Sequence, residues 1–428
     1  MIKKNNQQIY KQIAAATSGT IFQWYDFSLF GYLTPVLATL FFPQSNNTAG
    51  ILYTFGLFAV SFLLAPIGAM LFGYIGDNFG RKKALTLSII LMAIPTAMIG
   101  LLPTYAQIGI LAPVLLTFLR IMQGLVASAE FTGSAIFLVE HSSEKRPYFL
   151  GSLTSSAYSI GLIIGSLVSA IATLHFLPIS IWRIPFLIAI VGGILIYNVR
   201  KNLIETPEYS HLKGKKNKTT FLTAIKKSPK SVFITILIAW FVGIITFGSY
   251  VYSITYITQY SNISLSTAIV IVSIAILLDA LLEPPIALLA DKFGGKIISI
   301  CGMFGFAIFS TLIFKLLSSG DVILVMVGMC CCSCLIALTY APLNTILVRL
   351  FPPEYRYSGF GVSFNLSIAI FGGTTPLFLA WLTYQMKLIT APAIYYMFGS
   401  IIGLLGMTMI KEMKCTKIKI ENQKISYV

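Results

Sequence analysis

Five charged side chains interrupt otherwise apolar stretches of the sequence: Asp26, Arg120, Glu130, Asp279 and Glu283. A charge inside a hydrocarbon layer costs about 2.5–3.5 kcal/mol and persists mainly where it has a function. Desolvation favours the neutral form of a carboxyl group, so at least one of the four acids should hold a proton near neutral pH and exchange it when a cavity opens. One arginine leaves three carboxylates without a formal partner. The four acids are therefore predicted to couple a process to protons.

The composition indicates that these residues lie in membrane helices. The chain of 428 residues is 57% hydrophobic and 10% charged, with a mean hydropathy of +0.85, which is too apolar for a soluble core. Twelve apolar stretches are long enough to cross a ~30 Å hydrocarbon core, and lipid requires each to be helical. The predicted spans are residues 13–40, 49–75, 84–102, 108–138, 148–172, 183–202, 230–257, 265–289, 297–317, 322–348, 358–384 and 392–411.

The basic residues predict the orientation and the division of the chain. Most of the 30 Lys and Arg fall on one side if both termini and every even-numbered loop are cytoplasmic, as the positive-inside rule requires. The net charge of +16 is then a signal for topology and lipid headgroups, and no nucleic-acid partner is expected. The basic segment 203–229 separates six spans from six. We therefore predict halves at 1–202 and 230–412, a linker at 203–229 and a tail at 413–428.

A charged loop occurs twice, half a chain length apart, which indicates duplication. The glycines allow helix ends to approach closely, and Asp77 can face the positive N-terminus of a neighbouring helix. The second copy has Gly295 where the first has Arg81, so its interaction should be weaker. A tight turn that only sets topology is the alternative. The gating-loop candidates are Gly73, Asp77, Gly80, Arg81, Lys82 and Asp291.

This loop resembles the one between the second and third spans of major facilitator superfamily transporters, and further motifs narrow the resemblance. In order along the chain they are Trp24-Tyr25-Asp26-Phe27, Gly100 to Tyr105, Gln123-Gly124 with Glu130, Trp182-Arg183, Glu205-Thr206-Pro207, and Phe351-Pro352 with Arg356. Together they resemble the metabolite:proton symporter family, and within it proline/betaine transporters, over about residues 13–412.

The resemblance implies an all-α integral membrane protein with twelve transmembrane helices in two pseudo-symmetric six-helix halves. Each half would hold two inverted three-helix repeats, both termini would be cytoplasmic, and a central site would open alternately to either side. It also implies that the first charged loop is a latch between the halves that stabilises the outward-open state.

The chain departs from the family pattern at two positions. Gln23 stands where the family usually has Glu, and Ala65 where it usually has Arg, a joint loss expected of an ion pair. Asp279 and Glu283 lie four residues apart on one helical face, and the repeat offset maps Asp279 onto Ala65. Proton coupling has moved to the second half on this interpretation, although local packing explains a single acid equally well.

Candidate substrate contacts come from one cation, several aromatic residues and two amides. Arg120 could grip a carboxylate bidentately, or it could tie span four to an acid or carbonyl across the bundle. Glu130 is about 15 Å further along the helix and is not its partner. The aromatic residues could form cation–π walls, or they could serve packing. The substrate-binding candidates are Gln23, Trp24, Tyr25, Arg120, Tyr250, Tyr256 and Asn365.

The leading prediction is proton-coupled import of a small zwitterion such as proline or glycine betaine across a bacterial inner membrane, by a protein that functions as a monomer. A proton symporter of a dicarboxylate or tricarboxylate, with Arg120 as anchor, is the alternative. A non-transporting receptor would need a sensory domain or signalling tail. No enzyme activity and no cofactor are expected. No metal is expected either, because the cysteines at 330–334 have no histidine or carboxylate nearby in sequence.

Overall fold

The computed structural model describes residues 2–42, 47–142, 146–173, 178–212 and 220–410 of the chain. This part of the chain folds into helices joined by short turns, without a strand. The α-helices are α1 (Ile2–Tyr32), α2 (Thr34–Phe41), α3 (Asn47–Phe79), α4 (Arg81–Leu101), α5 (Tyr105–Ile108), α6 (Leu111–His141), α7 (Pro147–Ala172), α8 (Arg183–Arg200), α9 (Pro207–Leu212), α10 (Phe221–Lys227), α11 (Pro229–Phe247), α12 (Ser253–Tyr260), α13 (Leu265–Phe293), α14 (Gly295–Leu317), α15 (Val322–Arg349), α16 (Arg356–Ser367), α17 (Thr375–Met386) and α18 (Ala391–Thr408).

The long helices follow the apolar stretches within a few residues. The stretch predicted at 148–172 is α7, and the stretch predicted at 322–348 is α15. Among the described residues, eleven helical segments are long and apolar enough to cross a membrane. The remaining predicted span, the first, contains the polar residues Gln23 and Asp26 and is not among the eleven.

The predicted first span differs from the observed structure, because it is broken. α1 ends at Tyr32 and α2 begins at Thr34, with a proline in the first turn of α2. α1 still packs tightly in the bundle: Ser28 Oγ donates a hydrogen bond to the Leu162 carbonyl of α7 at 2.9 Å. At Gly161 and Gly165 of α7 an added Cβ would collide with α1, so small residues permit this close approach.

The helices form two groups that meet along two seams. In the first group α3 packs on α6, α4 on α6 and α8, and α1 on α7; in the second, α14 packs on α15 and α18, and α11 on α16 and α18. Between the groups, α7 lies against α13 and α15, and α3 lies against α16. Any side chain on the facing surfaces of α3, α7, α13, α15 or α16 can therefore touch both groups.

Two of the predicted continuous spans contain a π-helical turn. The predicted span 230–257 consists of α11 and α12 separated by a π turn at Gly248–Tyr252, and the predicted span 358–384 has a similar turn at Ile368–Gly372. A π turn inserts one residue and rotates the side chains that follow it, and such turns are common at functional sites. Ile368 lies in the wall of the central cavity.

One end of the bundle collects the turns between α3 and α4, α6 and α7, α8 and α9, α13 and α14, and α15 and α16. It carries most of the basic side chains of the loops, and we call it the basic end. Helices α9 and α10 fall within the predicted linker 203–229. The cluster Lys213 to Lys218 of that linker and the predicted tail 413–428 lie outside the described residues.

Candidate functional site

A central cavity of about 670 Å³, part of it continuous with solvent, lies between the two groups of helices. Its wall is mostly apolar, with eight aromatic residues and a few neutral polar groups, and no charged residue belongs to it within the described part of the chain. This composition suits a small ligand with an apolar body and few polar atoms. The lining residues are Gln23, Trp24, Phe27, Ser61, Phe62, Ala65, Ala127, Ser128, Phe131, Tyr158, Thr246, Phe247, Tyr340, Phe364, Asn365, Ile368 and Ala369.

Polar atoms in the cavity wall are available to a ligand. Gln23 Oε1 and Trp24 Nε1 are buried and have no hydrogen-bond partner among the described residues. The Asn365 side chain uses one of its amide hydrogens on the Gly361 carbonyl at 2.8 Å. Buried polar groups are normally satisfied, so unpartnered ones in a cavity point to a ligand. Three of the predicted substrate-binding residues, Gln23, Trp24 and Asn365, therefore lie together.

The aromatic wall draws on both groups of helices. Trp24 meets the edge of Tyr158 with ring centroids 4.3 Å apart, and Phe62 of α3 meets Phe247 of α11 at 5.2 Å. Phe131 of α6 stacks on Phe364 of α16 at 5.6 Å. Aromatic faces of this kind attract a ligand cation within about 6 Å of the ring centre.

Arg120 lies outside the cavity wall, which corrects its predicted role as a direct substrate anchor. Its Nη1 is 3.7 Å from Asp26 Oδ2 and donates to Gln123 Oε1 at 2.9 Å. Its Cζ is 4.0 Å from the centroid of the Phe30 ring. Arg120, Asp26 and Gln123 are fully buried. The residue therefore ties span four to an acid across the bundle, the alternative that the sequence left open.

Asp26 is held by neutral donors as well as by the arginine. Gln123 Nε2 donates to Asp26 Oδ1 at 2.8 Å, and Thr96 Oγ1 donates to the same oxygen at 2.9 Å. The network joins α1, α4 and α6 within the first group of helices. Removing one charge of such a buried pair would leave the other charge uncompensated.

Glu130 also has an arginine partner, which the sequence analysis missed. Arg200, at the end of α8, reaches Glu130 through two bonds, Nη2 to Oε2 at 2.7 Å and Nη1 to Oε1 at 2.9 Å. Ser88 Oγ donates to Glu130 Oε1 at 2.7 Å. Both charged side chains are fully buried. The prediction of three unpartnered carboxylates is therefore wrong, because Glu130 forms a bidentate buried pair.

Of the four acids predicted to couple protons, Asp279 and Glu283 have no cationic partner among the described residues. Both are about 1% exposed, on the face of α13 that meets α7. Ser159 Oγ donates to Asp279 Oδ2 at 3.2 Å, and Ser156 Oγ donates to Glu283 Oε2 at 3.2 Å. Within the described ranges no Lys, Arg or His nitrogen lies within 4 Å of either carboxylate. The acids lie at the seam between the groups, beside the cavity residues Tyr158 and Tyr340.

At the basic end Asp77 faces the N-terminus of α16, as predicted. Its Oδ1 accepts from the Tyr357 amide at 3.0 Å and its Oδ2 from the Ser358 amide at 2.8 Å. Arg81 Nη1 donates to Asp77 Oδ1 at 3.1 Å, and Arg81 Nη2 donates to the Pro353 carbonyl at 2.7 Å. These bonds join α3 and α4 to α16. An acid at a helix N-terminus is favoured by the unpaired amides and the helix dipole.

Further charged residues complete this cluster, which we call the latch: Asp77, Arg81, Glu140, Arg356 and the N-terminus of α16. Glu140 accepts from Arg81 Nη2 at 3.2 Å and from Arg356 Nη1 at 2.9 Å, so one acid bridges the two groups of helices. Arg356 also bonds Glu208 of α9. Arg356 belongs to one of the motifs that carry the family resemblance. Glu140 lies at the end of an apolar run, and its sequence position does not indicate that it pairs with Arg81 and Arg356.

The remaining gating residues support the latch from the backbone. Gly80 precedes α4 with a φ of 113°, a conformation that favours glycine. Glu205 caps α4 by accepting from the amides of Arg81 at 3.1 Å and Lys82 at 3.3 Å. Gly73 lies directly against Ser358, where an added Cβ would clash. The gating-loop candidates of the first copy therefore converge on the seam between α3 and α16.

In the second copy of the loop, Asp291 makes the contact equivalent to that of Asp77, but without an arginine within 4 Å among the described residues. Asp291 Oδ1 accepts from the Tyr148 amide at 2.9 Å and Oδ2 from the Phe149 amide at 3.1 Å, at the N-terminus of α7. The Asp291 side chain is partly exposed, unlike that of Asp77. Gly295 lies against Tyr148 in the position that corresponds to Arg81. The duplication therefore pairs each acid with a helix of the opposite group.

Three predicted aromatic contacts do not reach the cavity, which corrects their assignment. Tyr25 donates to the Pro185 carbonyl at 2.8 Å, and Tyr256 donates to the Ile389 carbonyl at 2.8 Å. Tyr250 lies in the π turn, where its hydroxyl approaches Asp279. None of the three belongs to the cavity wall. Tyr25 and Tyr256 serve packing, the alternative stated for the aromatic residues.

Comparison with known proteins gives the same picture over nearly the whole chain. A family model described as "Sugar (and other) transporter" matches residues 11–230, and one described as "Major Facilitator Superfamily" matches residues 236–417. The chain is 31% identical to the proline/betaine transporter of Salmonella typhimurium over 95% of its length and 84% of the relative's. It is also 31% identical to the proline/betaine transporter of Escherichia coli, over 94% and 83%.

Solved structures share the fold at low sequence identity. The chain superposes on the proton:xylose symporter XylE with a TM-score of 0.77 and 16% identity, covering 94% of this chain and 95% of the other. At this identity the match concerns the arrangement of helices.

Proposed function

Because this chain belongs to the major facilitator superfamily, as an integral multi-pass membrane transporter, we propose that it imports a small zwitterion such as proline or glycine betaine together with protons. The observation that carries the proposal is the central cavity, whose wall is aromatic and uncharged. A zwitterion has no net charge and needs no counter-ion there. Its quaternary or secondary ammonium would face the rings, and its carboxylate would take N–H donors.

The donors for that carboxylate are Trp24 and the amides of Gln23 and Asn365. The Trp24 Nε1–H is buried and unpartnered, so binding an anionic oxygen would satisfy it. Gln23 also stands where the family usually has Glu, and this removes a negative charge that would repel a carboxylate. The cavity therefore supports a zwitterion over a dicarboxylate or tricarboxylate, which would need a cation in the wall.

The proton is assigned to Asp279 and Glu283. Asp26 and Glu130 are each paired with a buried arginine, so protonating either would strand a positive charge. The acids of α13 have only hydroxyl donors and can lose or gain a proton without this penalty. Their position between α7 and α13 would make protonation sensitive to the relative arrangement of the two groups.

The membrane arrangement follows from the same premise. We assign twelve spans, with α1 and α2 together as the first, in two six-helix halves. The basic end faces the cytoplasm of a bacterial inner membrane by the positive-inside rule, so both termini are cytoplasmic. The protein acts as a monomer and carries out transport without enzymatic chemistry. With the latch bonded at the basic end, we assign the structure to a state closed to the cytoplasm.

The test is uptake by purified protein in proteoliposomes. Radiolabelled proline or glycine betaine should accumulate above its external concentration when the outside is acidic, and a protonophore should abolish the accumulation. Citrate and succinate serve as the competing substrates. Equilibration without accumulation would reject symport, and accumulation of the acids instead would reject the zwitterion.

A further inference from the structure

A glutamine in the wall of the central cavity carries a buried acceptor that has no donor among the described residues. Gln23 lies on α1 and is 5% exposed, and its Oε1 is unpartnered. The next residue, Trp24, carries an unpartnered donor, Nε1–H, in the same wall. Because buried polar groups are normally satisfied, these two atoms call for a ligand that brings both a donor and an acceptor.

Most of the other polar groups of the wall already have partners. Thr246 and Tyr340 bond each other at 2.6 Å, and the hydroxyls of Ser61 and Ser128 donate to backbone carbonyls. Asn365 spends one amide hydrogen on a carbonyl of its own helix. An N–H group of a ligand would therefore gain most by donating to Gln23.

The degree of methylation of the ligand's nitrogen decides whether this acceptor is satisfied. The aromatic faces of the wall attract an ammonium whether its nitrogen carries hydrogens or methyl groups. The wall holds no carboxylate within the described part of the chain, so a charged partner is not available there. An ammonium that keeps one N–H can donate to Gln23 Oε1, whereas a quaternary ammonium leaves this oxygen buried and unpaired.

We propose that Gln23 is a specificity-determining residue that selects zwitterionic amino or imino acids with at least one N–H over fully N-methylated zwitterions. Its Oε1 accepts the ammonium N–H and its Nε2 donates to the carboxylate. Both contacts are possible at once, because one carboxamide carries an acceptor and donors, and the ammonium and carboxylate of an α-amino acid are bonded to the same carbon. The inference rests on the proposed function and narrows the chemical class of its substrate.

The test compares three ligands that differ only in methyl groups on the nitrogen: proline with two N–H, N-methylproline with one, and N,N-dimethylproline with none. Each competes with radiolabelled proline for the purified full-length protein in detergent. One acceptor needs one N–H, so the first methyl group should change the affinity less than about threefold. The second should weaken it about tenfold or more, because Gln23 Oε1 then stays unpaired.

Variants locate the preference. Gln23→Met keeps a similar volume without polar atoms, so it should weaken proline binding and bring proline and N,N-dimethylproline within about threefold of each other. Trp24→Phe removes a donor to the carboxylate, which all three ligands share, so it should weaken all three and keep the preference. Gln259→Met, the same change at an exposed glutamine of α12, is the matched control and should behave like the parent.

An independent measurement concerns the protein without ligand. Gln23→Met removes a buried acceptor that has no partner among the described residues, so the thermal unfolding midpoint should stay equal to that of the parent or rise. A fall in the midpoint would mean that Gln23 supports the fold instead of serving a ligand. If Gln23→Met fails to fold, the comparison of the three ligands on the parent protein decides.

Equal affinities for the three ligands would overturn the inference. So would a loss that grows evenly with each methyl group, which steric exclusion would produce, or an unchanged preference in Gln23→Met. Accumulation of glycine betaine in proteoliposomes as readily as proline would leave the proposed function standing and reject the role of Gln23. Binding and accumulation of no zwitterion at all would reject the proposed function itself.

Discussion

The buried and interfacial acids of the two halves have different kinds of partner. In the first half each acid touches an arginine: Asp26 with Arg120, Asp77 with Arg81, and Glu130 with Arg200. In the second half no acid does so among the described residues, and the partners are neutral: serine hydroxyls for Asp279 and Glu283, and backbone amides for Asp291.

This difference separates acids whose charge is balanced by an arginine from acids whose charge can change more easily. Neutralising one partner of a buried ion pair leaves the other charge uncompensated and is strongly destabilising. An acid held by hydroxyls or amides can accept a proton at smaller cost. We therefore interpret the first half as an ionic framework and the second as the half whose charge changes during the cycle.

Glu130→Gln should give the largest effect on stability. It leaves the Arg200 guanidinium fully buried with carbonyl oxygens and without its carboxylate. Removing one partner of a buried pair costs roughly 3–5 kcal/mol. A large fall in the unfolding midpoint of the purified protein is expected, or loss of folded protein.

The double variant Glu130→Gln/Arg200→Met is the control for this prediction, because it removes the stranded charge and should recover much of the lost stability. If Glu130→Gln alone is as stable as the parent, Glu130 depends on Arg200 no more than Glu283 depends on Ser156. That result would contradict the difference between the halves.

Asp77→Asn should have the next largest effect, on the latch. It weakens the bonds to the Tyr357 and Ser358 amides and leaves the Arg81 guanidinium with Glu140 as its carboxylate partner. An acid at a partly buried helix N-terminus contributes up to ~2 kcal/mol, so the state open at the basic end should gain about tenfold in population.

A cysteine at Thr132 reports this opening, because Thr132 is 1% exposed on α6 between the cavity and the latch. In a background with the native cysteines replaced by serine, its alkylation rate should rise about tenfold with Asp77→Asn. An unchanged rate would favour the simple-turn interpretation of the loop.

Asp291→Asn should give the smallest of these effects. Its carboxylate is partly exposed and lacks an arginine, so the helix N-terminus contributes only about 0.3–1 kcal/mol. The same Thr132→Cys reporter should speed up less than about fivefold. If the alkylation rate rises as much as it does with Asp77→Asn, the two seams are equally strong, which contradicts the difference between the halves.

Local sequence predicted the contacts that depend on position along a helix. Asp77 lies at a helix end in a glycine-containing turn, and an acid there is favoured beside the N-terminus of a neighbouring helix, so this contact was foreseeable. Apart from the broken first span, the helix boundaries were also predicted within a few residues, because apolar length sets them.

Contacts that depend on helix rotation or on distant partners could not be predicted. Arg200 precedes Lys201 at the end of a span, so in the sequence it resembles a basic residue that only sets topology. In the structure it packs with Glu130 against Gly19, a contact that the sequence does not indicate. Tyr250 was expected in the cavity, but the π turn rotates it toward Asp279. No hydrophobic pattern encodes that extra residue.

Counterflow exchange and proton-driven accumulation, measured in one variant, test whether the acids of α13 carry the coupled proton. Asp279→Asn/Glu283→Gln should exchange labelled for unlabelled substrate in counterflow nearly as the parent does, since exchange needs no net proton movement, and should fail to accumulate substrate under a proton gradient. Asp26→Asn is the first-half comparison. If the double variant still concentrates substrate like the parent while Asp26→Asn does not, the coupled proton belongs to the first half and the account is wrong.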